Sequence, residues 1–184
     1  MQILAQEFLP IVEQAGKLAF VDIEASNLKA DFGTVVVVSI KPYGKKPITF
    51  TAPPGRDKTL LKDVSEELHK YALWATFYGK LFDVPYINSR LLVHGLPPLE
   101  KRHHLDMYFA IKARTCLSRR NQAHLLSWLG TPESKMSVSP SVWAEMAADP
   151  KKALKILAKR CESDVTGLEA MYERAKPFIV ELTR

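Results

Sequence analysis

Apolar positions fall into two kinds of run, short β-branched stretches early in the chain and helix-spaced stripes after them. Residues 18–24 read as a first strand. After the turn from Asn27 to Gly33, Thr34-Val35-Val36-Val37-Val38-Ser39-Ile40 reads as a second, ended by Lys41-Pro42-Tyr43-Gly44. Its unbroken apolar character suits a central strand better than an edge. Pro47-Ile48-Thr49-Phe50-Thr51 is the expected hairpin partner. Leu61, Val64, Leu68 and Ala72 then predict a helix near 61–73, followed by a short strand at 75–79. A helix from about 84 to 94 fits Asp83 as its cap, Pro85 in its first turn and Gly95 at its end. Leu105 closes another short strand, and helices are expected near 107–114, 121–129, 141–148 and 151–175. Three early strands, then helix, strand and helix, predict an α/β fold with a mixed sheet. The segment from Thr131 to Ser141, rich in serine and proline and carrying Lys135, reads either as a mobile loop near substrate or as a plain surface connection.

One strand breaks its own apolar pattern. In Phe20-Val21-Asp22-Ile23-Glu24 the two acids are separated by one residue, so on a strand both side chains point the same way. Two carboxylates side by side in an apolar sheet carry a desolvation cost and a like-charge repulsion. A bound cation or a place at the solvent-facing end of the sheet relieves both. Asp83 and Asp164 add two further oxygen donors from distant parts of the chain. Hard cations such as Mg²⁺ and Mn²⁺ take such ligands, and two of them on four carboxylates suit phosphodiester cleavage. A chain with 20 acidic residues also offers widely spaced sets of four by chance.

Size and composition set wider bounds. At 184 residues and 47% hydrophobic, one domain spanning 1–184 with a sizeable core is expected. The formal charge of +6 fits a phosphate-rich partner. Its distribution is more telling. Lys101, Arg102, Lys112, Arg114, Arg119 and Arg120 lie in one stretch, and Lys151, Lys152, Lys155, Lys159 and Arg160 in another. An acidic centre between basic stretches suits a nuclease, although basic residues also simply solvate helix faces. Cys116 and Cys161 have no metal-ligand spacing and no disulfide pattern, which fits a reducing compartment. No apolar run reaches membrane-spanning length and no signal pattern opens the chain, so a cytoplasmic protein without a membrane partner is expected.

Three blocks occur in order: Asp22-Ile23-Glu24 on the first strand, Gly79-Lys80-Leu81-Phe82-Asp83-Val84-Pro85, and Cys161-Glu162-Ser163-Asp164-Val165 in the last helix. Together they resemble the DEDD 3′–5′ exonucleases of the ribonuclease-H-like superfamily, in particular the stand-alone enzymes related to the proofreading domain of family B DNA polymerases. The likeness extends through Phe32-Gly33-Thr34, Val38-Ser39-Ile40-Lys41-Pro42 and Leu105-Asp106, over nearly the whole chain. It implies a ribonuclease-H-like mixed sheet flanked by helices and a two-metal hydrolysis of nucleic acid, DNA more than RNA, from a free 3′ end. It also implies a role for each acid. Asp22 would bridge two Mg²⁺ or Mn²⁺ ions or contact the more tightly held one, Glu24 would serve the ion that activates water, Asp83 the ion beside the leaving oxygen, and Asp164 would complete the first site. Lys80, Arg119, Arg120, Lys135 and Arg160 are the candidates for gripping the nucleic acid, with recruitment by replication or repair proteins a corollary. Asp106 is expected to cap a helix and act indirectly, and Phe82, Tyr86 and Ile87 either to stack on a terminal base or to pack in the core.

One departure stands out. The family usually places a tyrosine or histidine four or five residues before the last aspartate, where it serves the attacking water. Here those positions hold Arg160 and Lys159. Arginine does not give up its proton in practice. The metals and Glu24 then suffice, or Cys161, His103 or His104 supplies a base, or the chain has kept binding and lost turnover. A structure-selective endonuclease of the same superfamily is the other enzymatic alternative.

Overall fold

The computed structural model describes residues 3–182; the outermost residues of the expected 1–184 unit, 1–2 and 183–184, lie outside the described residues. A two-residue strand β1 (Ile3–Leu4) leads into α1 (Ala5–Gln14), which the sequence reading did not anticipate. Its buried positions Ala5, Leu9 and Val12 have helical spacing, but Pro10 lies inside the helix, where a proline argues against one, and obscures the pattern. Strands β2 (Leu18–Ala25), β3 (Val35–Pro42) and β4 (Ile48–Thr51) form an antiparallel meander. Then come α2 (Lys58–Leu68), β5 (Leu73–Thr76), α3 (Asp83–Val93) and β6 (His103–Asp106). Helices α4 (Met107–Lys112), α5 (Gln122–Trp128), α6 (Ser141–Ala148) and the long α7 (Pro150–Ala175) follow, and β7 (Glu181–Leu182) pairs with β1.

The five-stranded sheet has the order β4-β3-β2-β5-β6, antiparallel from β4 to β2 and parallel from β2 to β6. Strand β3 is buried along its whole length, as its unbroken apolar run requires. Alternation on β2 separates two cores. Leu18 and Phe20 face α1, α4, α5 and α7, whereas Ala19, Val21 and Ile23 face α2 and α3. The same alternation carries Asp22 and Glu24 to the α7 side. A register shift between Glu24 and Ala25 leaves Val36 of β3 unpaired with β2, after which the pairing resumes at Ala25 opposite Val35.

Two expected boundaries move. The helix predicted at 61–73 starts at Lys58 and ends at Leu68, because the amides of Ala72 and Leu73 both bond to the carbonyl of Lys17 and begin β5. Strand β5 accordingly ends at Thr76 instead of 79. Phe77, Tyr78 and Gly79 form a turn, with Tyr78 in the left-handed region at φ 65°. Gly79 sits so tightly over Thr76 that a Cβ would lie 2.5 Å from the Thr76 Cβ. The carboxylate of Asp106 holds the turn, accepting from the amides of Tyr78 at 2.9 Å and Lys80 at 3.0 Å while capping α4 through Tyr108. The cap is the one expected of Asp106.

Candidate metal centre

Asp22 and Glu24 come from the end of β2, and Asp164 comes from the middle of α7, which lies across that face of the sheet. Each contributes one carboxylate oxygen to a group whose members all lie within 4.8 Å of one another. Asp22 is partly buried, and Glu24 and Asp164 are buried. Asp164 is only 3% exposed, and its Oδ1 has no hydrogen-bond partner among the described residues. A buried, unpartnered carboxylate oxygen costs free energy unless a cation faces it. An all-oxygen donor set of this kind suits a hard divalent ion, and three carboxylates can coordinate one.

Asp83 approaches from the other side of β2. It was expected to cap α3, but it is the first residue of that helix, and its Oδ1 accepts from the amide of Ile23 at 3.1 Å. This bond ties the start of α3 to the strand between Asp22 and Glu24. All four acids line one cavity of about 470 Å³, walled in part by Phe77, Tyr78, Phe82 and Trp143. Asp83 stands outside the three-oxygen group.

Burial and mutual repulsion govern the charge state. Burial pushes the Asp22 carboxyl well above the usual range, and Asp83, Asp164 and Glu24 push it further. Glu24 is pushed up to about 7, burial outweighing the attraction of Arg160. Asp83 is pushed up to about 7 by burial against the pull of its backbone hydrogen bonds. Asp164 is also raised by burial, with Lys135 opposing.

Two of the five residues expected to grip nucleic acid line this cavity. Arg160 Nε lies 2.9 Å from Glu24 Oε1 and 3.9 Å from Asp164 Oδ2, close enough for an ion pair but not aligned as a hydrogen bond. Lys135 reaches in from the 131–141 segment, its Nζ 3.1 Å from Asp164 Oδ2. That segment therefore borders the site instead of being a remote connection. Lys80 lines neighbouring hollows beside His104, Arg119 is exposed and Arg120 is half-buried; none of the three lines the carboxylate cavity.

The alternative bases sit elsewhere or in other roles. His104 Nε2 is 2.7 Å from Thr76 Oγ1, His103 packs edge-on against Phe8, and neither lines the cavity. Cys161 is fully buried, and its thiol donates to the Asp22 carbonyl at 3.2 Å and to Asp22 Oδ2 at 3.3 Å. Burial and the charge of Asp22 push that thiol well up, so it acts as a donor and not as a base. Of the aromatic cluster, Phe82 lines the cavity whereas Tyr86 and Ile87 are core residues.

One contributor escaped the sequence reading. Gln122, the first residue of α5, donates from Nε2 to the Asp164 carbonyl at 2.8 Å and accepts from Lys135 at 3.3 Å. It holds the acidic turn of α7 and the lysine that faces it. A polar residue opening a helix carries no sequence signal for such a contact.

The fold is similar to that of a solved structure, the family B DNA polymerase from the hyperthermophilic archaeon Pyrobaculum calidifontis. The likeness has a TM-score of 0.67 at 17% identity, over 87% of this chain and 24% of that one. The chain thus spans about a quarter of the polymerase's length. No curated protein matches it. The family model of the RNase_H superfamily matches residues 19–176, which run from β2 to the 3₁₀ turn after α7 and include all four acids. The chain belongs to the RNase H superfamily.

Proposed function

We propose that this chain is a metal-dependent 3′–5′ exonuclease acting on nucleic acid, DNA in preference to RNA. The observation that carries the reading is the grouping of Asp22, Glu24 and Asp164 around the buried, unpartnered Asp164 Oδ1, in a chain of the RNase H superfamily. These three side chains would hold one Mg²⁺ or Mn²⁺ ion, and Asp83, in the same cavity, would share a second with Asp22. Bound divalent ions acidify water and neutralise charge developing on phosphate oxygens. Glu24 orients the attacking water. Arg160 and Lys135 supply positive charge beside the phosphate, and Phe77, Tyr78 and Trp143 form a wall against which a terminal nucleoside can rest. Water attacks phosphorus, the bond to the 3′ oxygen breaks, and a nucleoside 5′-monophosphate leaves behind a new 3′ hydroxyl.

The exonuclease reading draws support from the three ordered sequence blocks and from the match to one quarter of a family B DNA polymerase. A partner with a free 3′ end follows from it, as does recruitment to replication or repair. A nucleic-acid-binding module without turnover is the second reading, and Arg160 favours it, because the family's water-orienting residue is replaced by a group that cannot accept a proton. Linear and circular single-stranded DNA of one sequence separate these readings and the endonuclease. Loss of the linear form alone, with nucleoside 5′-monophosphate released, supports the exonuclease. Cutting of the circle makes it an endonuclease, and binding without cleavage of either makes it a binding module.

A further inference from the structure

Arg160 and Lys135 make contacts that a simple phosphate grip does not require. Both cations are turned onto the carboxylates. Arg160 Nε lies against Glu24 Oε1 and faces Asp164 Oδ2, and Lys135 Nζ lies against the same Asp164 oxygen. Two of the three acids of the candidate metal centre are therefore paired with side-chain cations.

The charges match. Two monovalent side chains carry the same charge as one divalent ion, so exchanging them for the ion leaves the neutralisation of the acids unchanged. Neither cation is fully enclosed, although Lys135 has one further anchor, Gln122 Oε1 at 3.3 Å. The Arg160 and Lys135 side chains remain 27% and 31% exposed, and the Arg160 contact lacks hydrogen-bond alignment. Lys135 also stands on an irregular segment between α5 and α6.

We propose that Arg160 and Lys135 are built-in counter-ions that a divalent metal displaces, and that the displaced side chains then bind the substrate phosphate. Metal and phosphate accordingly bind cooperatively. The metal frees the guanidinium and the ammonium, and a phosphate at the cavity mouth keeps them from returning to the acids. Linkage makes the effect reciprocal: the factor by which phosphate tightens metal binding equals the factor by which metal tightens phosphate binding. This inference rests on the metal-centre reading above.

Calorimetric titration of the whole chain with Mn²⁺, alone and with saturating dTMP as an uncleavable phosphate probe, tests it. Wild type should bind Mn²⁺ about tenfold more tightly in the presence of dTMP, a coupling within the usual range. Arg160→Gln should bind Mn²⁺ alone about tenfold more tightly than wild type, having lost its internal competitor, and should gain less than about twofold from dTMP. Lys135→Gln, altered on a different segment, should shift in the same direction. Equal Mn²⁺ affinity in wild type and both variants, or an undiminished dTMP effect in Arg160→Gln, overturns the counter-ion role and leaves the metal centre standing. Absence of Mn²⁺ binding in all three proteins overturns both.

Discussion

Asp22 and Glu24 share one side of β2 because a strand repeats every two residues, and Asp164 meets them because α7 crosses that side. If this trio holds metal, each acid is a ligand in its own right. Asp22→Asn or Asp164→Asn should then remove saturable Mn²⁺ binding or weaken it about a hundredfold or more, since loss of even an outer partner of a metal ligand costs about 10- to 100-fold. Acid titration offers a second check. Glu24 and Asp83 are pushed up to about 7, against an ordinary carboxylate value near 4. For raised carboxyls the contribution to stability is fully present below the unfolded value and is lost as the pH climbs through the folded one. The metal-free protein should therefore melt lower at pH 8 than at pH 6, by about 3 °C or more, and Mn²⁺ should flatten that slope. His104 acts in the opposite sense. Burial depresses it to about 4, so its contribution is lost only as the pH falls below about 6.5, outside most of that window. A melting midpoint that rises from pH 6 to pH 8 in chelator would contradict the buried-acid description. The Asp-x-Glu pair was legible because its spacing and its apolar setting conflict. Chemistry alone offered Asp83 and Asp164 only among other widely spaced acids, since each is also an ordinary helix residue, and the resemblance singled them out.

Elements set the accuracy with which those residues meet. Cys161 joins α7 to the Asp22 carbonyl, Gln122 joins α5 to the Asp164 carbonyl, and Asp83 joins α3 to Ile23. These bonds connect residues 60, 42 and 139 positions apart, for Asp83, Gln122 and Cys161 respectively, and no local pattern encodes them. Asp106 does the same for the turn after β5, accepting from three backbone amides. Asp106→Ala should cost about 2–3 kcal/mol, the combined effect of a lost cap and amides left unpaired. Chemical denaturation measures that cost directly. It should come with faster amide exchange at Tyr78 and Lys80, while a loss below about 0.5 kcal/mol would show that the turn holds by other means. Element existence was largely readable from periodicity, as with the buried β3 run and the α7 stripe. Boundaries were less so. Where α2 gives way to β5 depends on the Lys17 carbonyl, which is remote in sequence.

At the scale of the molecule, the mixed order β4-β3-β2-β5-β6 places β2 in the middle of the sheet, with α7 against one of its faces. The acids thus sit where the antiparallel and parallel halves of the sheet join. The α/β class and the mixed sheet were legible from the order of runs. The N-terminal helix and the β1–β7 pairing were not, the first because of Pro10 and the second because two-residue strands leave no pattern. Among the described residues no helix is long and apolar enough to cross a membrane. A single unit over 1–184 remains our proposal, and with it an enzyme whose one cavity both grips the strand end and cuts it. The most direct test is a 5′-labelled single-stranded DNA incubated with wild type and Asp22→Asn, in Mn²⁺ and in chelator. A ladder that shortens from the 3′ end with wild type in Mn²⁺, and is absent in chelator and with the variant, is the expected result. An intact label with wild type in Mn²⁺, or an equal ladder with Asp22→Asn, would contradict a metal-dependent exonuclease built on these acids.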